Sequence, residues 1–193
     1  WAKPSTDSSG YMPFFMATDD NFSWAYEGLF WFSNNLYYID YINNPSYNVL
    51  WRSTAVYRDT GWYHIMAVKV DNSTFKLYVN GEEITDLSSS TNNGAQSTWW
   101  NVSGQKMYLG GYINTSTAAG HSCESIMSRF YFIDGLALGP GYFGYNDPLT
   151  NTWRPKKFSA EGTTVNDGTV WSSGTTNGSP YSGSYTWTTT FNG

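Results

Sequence analysis

Few side chains in this sequence have the chemistry for catalysis or metal binding, and their spacing limits what each can do. His64 lies in "WYHIMAVKV" and His121 in "GHSCES", beside the single Cys123 and Glu124. Around His64 no cysteine, second histidine or carboxylate falls at a ligand or triad spacing, so it reads as a strand residue with a packing role. His121, Cys123 and Glu124 could by their spacing share one side of a strand. A metal centre needs further ligands, however, and no C-x-x-C or H-x-x-x-H run supplies them; no metal is assigned, and Cys123 reads as a small apolar residue. Hydrolysis of a glycosidic bond by a retaining mechanism asks for two carboxylates about 5.5 Å apart. Asp19-Asp20 and Glu82-Glu83 do not provide them, because neighbours on a strand face opposite ways and the second pair follows a hairpin turn, at a solvated edge. No catalytic residue is assigned, and the chain reads as non-enzymatic.

Aromatic rings are the other chemistry present: 10 Trp, 16 Tyr and 11 Phe beside many Asn, Ser, Thr and Gly. Flat rings stack on the C–H faces of sugars, while amides and carboxylates meet their hydroxyls. Three polar segments combine both, residues 19–26, 92–103 and 110–116. If they converge at one rim, Trp24, Trp100 and Tyr112 supply stacking and Asp20, Asn101 and Asn114 bind hydroxyls. The same rings also suit a core, or contacts with neighbouring protein subunits.

Strands must hold these residues. In "HIMAVKV" His64, Met66, Val68 and Val70 point one way and Ile65, Ala67 and Lys69 the other; in "FKLYVNG" Phe75, Leu77 and Val79 alternate with polar neighbours. Asn80-Gly81 is a strong two-residue hairpin signal, since a type I′ turn needs positive φ at both positions. Three consecutive antiparallel strands are therefore expected from about residue 62 to 87. "LFWFSNNLYYIDYI" reads as a hairpin turning at Ser33-Asn34-Asn35. "RFYFIDGLAL" reads as a strand from Arg129 to Ile133, a turn at Asp134-Gly135 and a return over Leu136 to Leu138. No stretch sustains a helical period, so the expected fold is all-β, two packed antiparallel sheets.

Composition narrows the partners. A chain of 193 residues with 40% hydrophobic content can bury one large core. A net charge of -5 with only 10 Lys+Arg leaves no electrostatic footprint for nucleic acid. No apolar run reaches the roughly 18 residues a membrane helix needs. A lone cysteine suits folding in a reducing compartment. The opening "WAKPSTDSSG" has no leader-like run and reads as a cut within a longer polypeptide. Residues 159–193 turn rich in Thr, Ser and Gly, and read as a linker or the start of a further β module.

"WYHI…KLYVNG", "MYLGGY", "FYFIDGLALGPGYFG" and "NTWRPKKF" together resemble the laminin-G-like, concanavalin A-like lectin domain, in the version found in virion and tail-fibre proteins of bacteriophages, notably cyanophages. The resemblance spans residues 1–158. It implies a jelly-roll sandwich whose first strand precedes Trp1. It also implies a lectin-like module on a virion surface, on a tail fibre or capsid appendage assembled in the host cytoplasm. Its partners would be host cell-surface polysaccharide, other virion subunits and copies of itself, without membrane insertion. The alternative it leaves open is a purely structural decoration or assembly module. Arg129 stands where such domains usually carry an acid, so no cofactor is assigned and calcium is left open, with no motif in support. Glucanases of this fold use an E-x-D-x-x-E or E-x-D-x-E strand, which is absent here.

Overall fold

The computed structural model describes residues 1–4, 11–18, 26–43, 46–57, 61–71, 74–93, 103–114 and 119–158; for 42–43, 46, 112–114 and 119–121 it describes the backbone alone. The chain divides into two compact units, Trp1–Lys157 and Phe158–Gly193. All elements named below lie in the first. In chain order these are β1 (Ala2–Pro4), β2 (Tyr11–Thr18), β3 (Tyr26–Phe32), β4 (Asn35–Asn43), β5 (Ser46–Val56), β6 (Ile65–Lys69), β7 (Phe75–Val79) and β8 (Glu82–Glu83). There follow β9 (Leu87–Asn92), β10 (Lys106–Leu109), β11 (Gly111–Asn114), β12 (Ala119–Ser122), β13 (Ser125–Met127), a 3-10 turn at Pro140–Tyr142, β14 (Gly144–Asp147) and β15 (Thr152–Pro155).

A six-stranded sheet, β10-β2-β3-β4-β5-β9, packs on a three-stranded sheet, β6-β7-β8; β1-β13, β11-β12 and β14-β15 form pairs. All described pairings are antiparallel. This is the all-β sandwich expected from the alternation.

Two turns set the registers. Ser33 (φ 49°) and Asn34 (φ 65°) both occupy the left-handed region that a type I′ turn demands. The loop is thus two residues, not the three of Ser33-Asn34-Asn35: Asn35 already pairs with Phe32 as the first residue of β4. Asn80 (φ 51°) and Gly81 (φ 85°) turn β7 into β8 in the expected way. The three strands expected over 62–87 are present as β6, β7 and the two-residue β8, after which Leu87 opens β9 in the other sheet.

Between the sheets, Met12, Phe14, Trp31 and Leu36 meet Leu77 of β7, while Tyr38 and Val49 meet Phe75. Each such side chain, withdrawn from water, contributes roughly 1.5–3 kcal/mol. A bulge at Phe14 inserts one residue between the Pro13 and Phe15 pairings, which bends β2.

The expected strands Arg129–Ile133 and Leu136–Leu138 do not form; residues 128–139 are irregular, with a bend at Asp134-Gly135. Arg129 has φ 56°, which ends the extended run that began in β13. The deeper reason is pairing. A strand-like pattern becomes a strand only beside an unpaired edge at one strand spacing, and among the described residues none lies beside this segment.

Candidate functional site

The outer face of the six-stranded sheet, turned away from β6-β8, carries a dense set of rings. Alternation sends Phe30 and Phe32 outward from β3, Tyr37, Ile39 and Tyr41 from β4, and Tyr47, Leu50 and Arg52 from β5. Register then arranges them in rows across the strands. Tyr11, Phe32 and Asn35 form one row; Phe30, Tyr37 and Arg52 the next; Tyr26, Tyr41 and Tyr47 the last. Tyr11 stacks on Phe32 with centroids 4.3 Å apart and planes 13° from parallel. Tyr41 stands 5.3 Å from Tyr26 and 5.0 Å from Tyr47.

Gly28 sits at the centre of this face because the Phe30 ring lies over it: a Cβ there would come within 2.6 Å of that ring and 2.9 Å of the Phe15 carbonyl. The Arg52 guanidinium lies 5.4 Å over the Tyr37 ring and donates to Asn35 Oδ1 at 3.1 Å. Asn35 Nδ2 in turn donates to the Ser53 and Ala55 carbonyls, both at 3.1 Å. Burial pushes the Tyr11 and Tyr37 phenols above their ordinary range, so both keep their protons and stay donors. Tyr37 and Tyr41 are buried, whereas Tyr11, Tyr26, Phe32, Tyr47 and Arg52 are accessible to differing degrees. Such a surface offers ring faces for stacking and O–H and N–H groups for hydroxyls.

Across the inner face lies a second constellation. Glu27 of β3 and Asp40 of β4 are direct cross-strand partners, both fully buried. Lys69 of β6 reaches Glu27 Oε1 at 3.1 Å, the Tyr38 hydroxyl donates to the same oxygen, and Asn48 Nδ2 donates to Asp40 Oδ2 at 3.4 Å. Neither carboxylate presents a side chain to solvent, and as placed the group ties the two sheets together. Glu82 and Glu83 are exposed, Glu83 pairing with Lys76 at 3.1 Å.

His64 is buried in a cage of rings, with centroids 5.3 Å from Trp1, 5.9 Å from Trp153 and 6.3 Å from Phe143. Burial lowers its pKa to about 4, so the imidazole is neutral near pH 7. Cys123 packs against the inner core, and burial pushes its thiol up. Among the described residues no three His, Cys, Asp or Glu side chains group as metal ligands.

A family model described as the concanavalin A-like lectin/glucanases superfamily matches residues 1–120. The chain belongs to this superfamily. No curated protein and no solved structure matches it significantly. The superfamily's description joins sugar binders with sugar-cleaving enzymes, so membership points to carbohydrate without choosing between the two.

For this lectin/glucanase-superfamily chain, four of the six residues read from sequence as sugar contacts, Asp20, Trp24, Trp100 and Asn101, lie outside the described residues. Tyr112 and Asn114 belong to β11, where their backbones pair with His121 and Ala119. The strand ends beside two of the three segments meet: Thr18 pairs with both Tyr26 and Lys106, while residues 19–25 and 94–102 lie outside the described residues. The third starts elsewhere, where Gly110 N donates to the Phe14 carbonyl at 2.9 Å, partway along β2. The outer-face rows and the Glu27–Asp40 pair were missed from sequence. Both follow from one register: a two-residue turn at Ser33-Asn34 pairs Phe32 with Asn35 and, five residues back, Glu27 with Asp40.

Proposed function

We propose that this chain is a non-catalytic carbohydrate-binding module whose ligand lies on the outer face of the six-stranded sheet. The observation that carries this reading is the ring-and-hydroxyl grid of Tyr11, Phe32, Tyr26 and Tyr47 with Arg52 beside it, on a sheet of the lectin/glucanase superfamily. Stacking on sugar C–H faces and hydrogen bonding to hydroxyls need those two kinds of group side by side. In keeping with the phage-module resemblance, the module sits on a virion surface and its ligand is a host-surface polysaccharide. The test is binding of the purified chain to a glycan array that includes bacterial surface polysaccharides, followed by calorimetry on any hit. Binding that Tyr47→Ala and Phe32→Ala weaken in a folded chain supports the reading; array binding indifferent to both removes it from this face.

Exposed apolar side chains, Leu109, Ile126 and Leu149 among them, favour a second reading, a structural module that contacts other virion subunits. A chain silent on the array that assembles with such subunits would decide for it. Reducing ends released from a polysaccharide by the chain would instead assign it to the glucanase side of its superfamily.

A further inference from the structure

Charge is sorted across the six-stranded sheet. Its strands hold two acids, Glu27 and Asp40, and two bases, Arg52 and Lys106. Register turns both acids inward, where they are fully buried. It turns both bases outward: Arg52 pairs with Tyr37, and Lys106 pairs with Thr18 in the row of Tyr26. In a chain of net charge -5, the charges that these strands present on the outer face are all positive.

Arg52 is held in place without being neutralised. Its guanidinium lies over the Tyr37 ring, and Nη2 donates to Oδ1 of the buried Asn35 at 3.1 Å. The Asn35 amide is fixed in turn, because its Nδ2 donates to the Ser53 and Ala55 carbonyls. A neutral acceptor sets the geometry and leaves the cation its charge, whereas a carboxylate at that place would cancel it. Among the described residues no carboxylate pairs with Arg52. Nε is buried, so the guanidinium reaches outward through Nη1, which is accessible and makes no hydrogen bond among the described residues. The Tyr37 ring also stands 5.8 Å from that of Phe32, which stacks on Tyr11. Reachable ring faces and an unneutralised guanidinium therefore adjoin one buried phenol, within the span of a short oligosaccharide.

We propose that the ligand of this face is an acidic saccharide. Its sugar ring stacks on Phe32 and Tyr11, and its anionic group, the carboxylate of a uronic acid or a sulfate, accepts from Arg52 Nη1. A guanidinium stays charged and is weakly hydrated, which suits it to either oxyanion. The inference rests on the outer face being the sugar site and adds the charge of the sugar.

The probes are two pairs that differ only in the acid, oligogalacturonate beside its carboxyl-reduced form and sulfated beside plain dextran oligomers, titrated calorimetrically into the whole chain. The acidic member of one pair should bind at least about tenfold more tightly than its neutral counterpart, as a hydrogen bond to a charged group would give. Which pair shows the preference distinguishes carboxylate from sulfate. Arg52→Gln should erase it. Ser89 is the cross-strand partner of Arg52, so Ser89→Asp sets a carboxylate beside the guanidinium and should also erase it, leaving neutral binding as it was. The uncharged control Ser89→Asn should keep the preference, and Phe32→Ala should weaken both members alike. Acidic and neutral members bound equally, with Phe32→Ala weakening both, would overturn the acidic ligand and leave the sugar site standing. Silence toward both acidic probes would overturn it as well, whatever neutral glycans bind on the array. A preference that survives Arg52→Gln and Ser89→Asp, or that a chelator removes, would take the acid away from Arg52 and overturn the proposal.

Discussion

On the inner face of the six-stranded sheet Trp31 and Leu36 are wholly buried beneath β7, whereas on the outer face rings of similar size stand beside phenol hydroxyls and a guanidinium. The two faces belong to the same strands and differ by one step of alternation. The inner face is sealed by a second sheet and even holds its charges inside, as Glu27 with Lys69. The outer face keeps its polar atoms at ring tips. Met16, Phe30, Tyr37, Ile39 and Tyr41 of the outer face are nevertheless buried as a second core cluster, so only the rings around them, Tyr11, Tyr26, Phe32 and Tyr47, stand where another molecule can reach them.

The largest expected effect tests whether the faces differ energetically. Trp31→Ala should cost about 3–5 kcal/mol in denaturant unfolding, by loss of burial and a cavity, whereas its neighbour Phe32→Ala should cost about 1 kcal/mol. Equal costs would erase the distinction. Glu27→Gln should cost about 3 kcal/mol by leaving Lys69 without its charge partner, and the double variant with Lys69→Met should recover most of that loss. No recovery would show that Lys69 does not depend on Glu27.

His64 extends the comparison to pH. Its folded pKa of about 4 lies below the ordinary value near 6.5, so between these values the unfolded chain binds the proton and the folded chain resists it. Its contribution is intact above pH 6.5 and is lost as pH falls toward 4, about 2–3 kcal/mol in all. His64→Gln should flatten that part of the stability profile, measured as the difference from wild type. A profile unchanged by the substitution would mean that the imidazole is not shielded. The smallest effect is the most informative for function: Tyr47→Ala should weaken glycan binding by about 1–2 kcal/mol while changing stability by less than about 1 kcal/mol. The opposite pattern would make the outer face a second core.

Much of the fold was legible because alternation and turn chemistry are local. The β6–β7 pattern and Asn80-Gly81 needed nothing from the rest of the chain. Asn35 was harder, since asparagine suits a turn and yet here begins a strand; that single residue of register concealed the Glu27–Asp40 pair and the outer rows. The 129–138 segment was illegible for a different reason: its pattern is right for strands, but a strand is made by its neighbour, and that lies outside the segment. The loops with Trp24 and Trp100 were chosen for composition, while the grid emerged from "LFWF" and "LYYIDY", where apolar residues occupy both alternations. That double occupancy is the available signal for a sheet with apolar clusters on both faces.

Trp153 of β15 closes over Gly81 and Gly144 so tightly that a Cβ on either would come within 2.4 Å of its ring, and it also stands against His64. The family match ends at residue 120, but the buried histidine depends on a side chain more than thirty residues later. If such modules are shuffled between proteins by recombination, a crossover falling between those two points would deliver a sandwich with an unshielded imidazole and a loose hairpin tip. The inherited unit must therefore extend through the tryptophan, and the two glycines are the positions at which drift would undo it first.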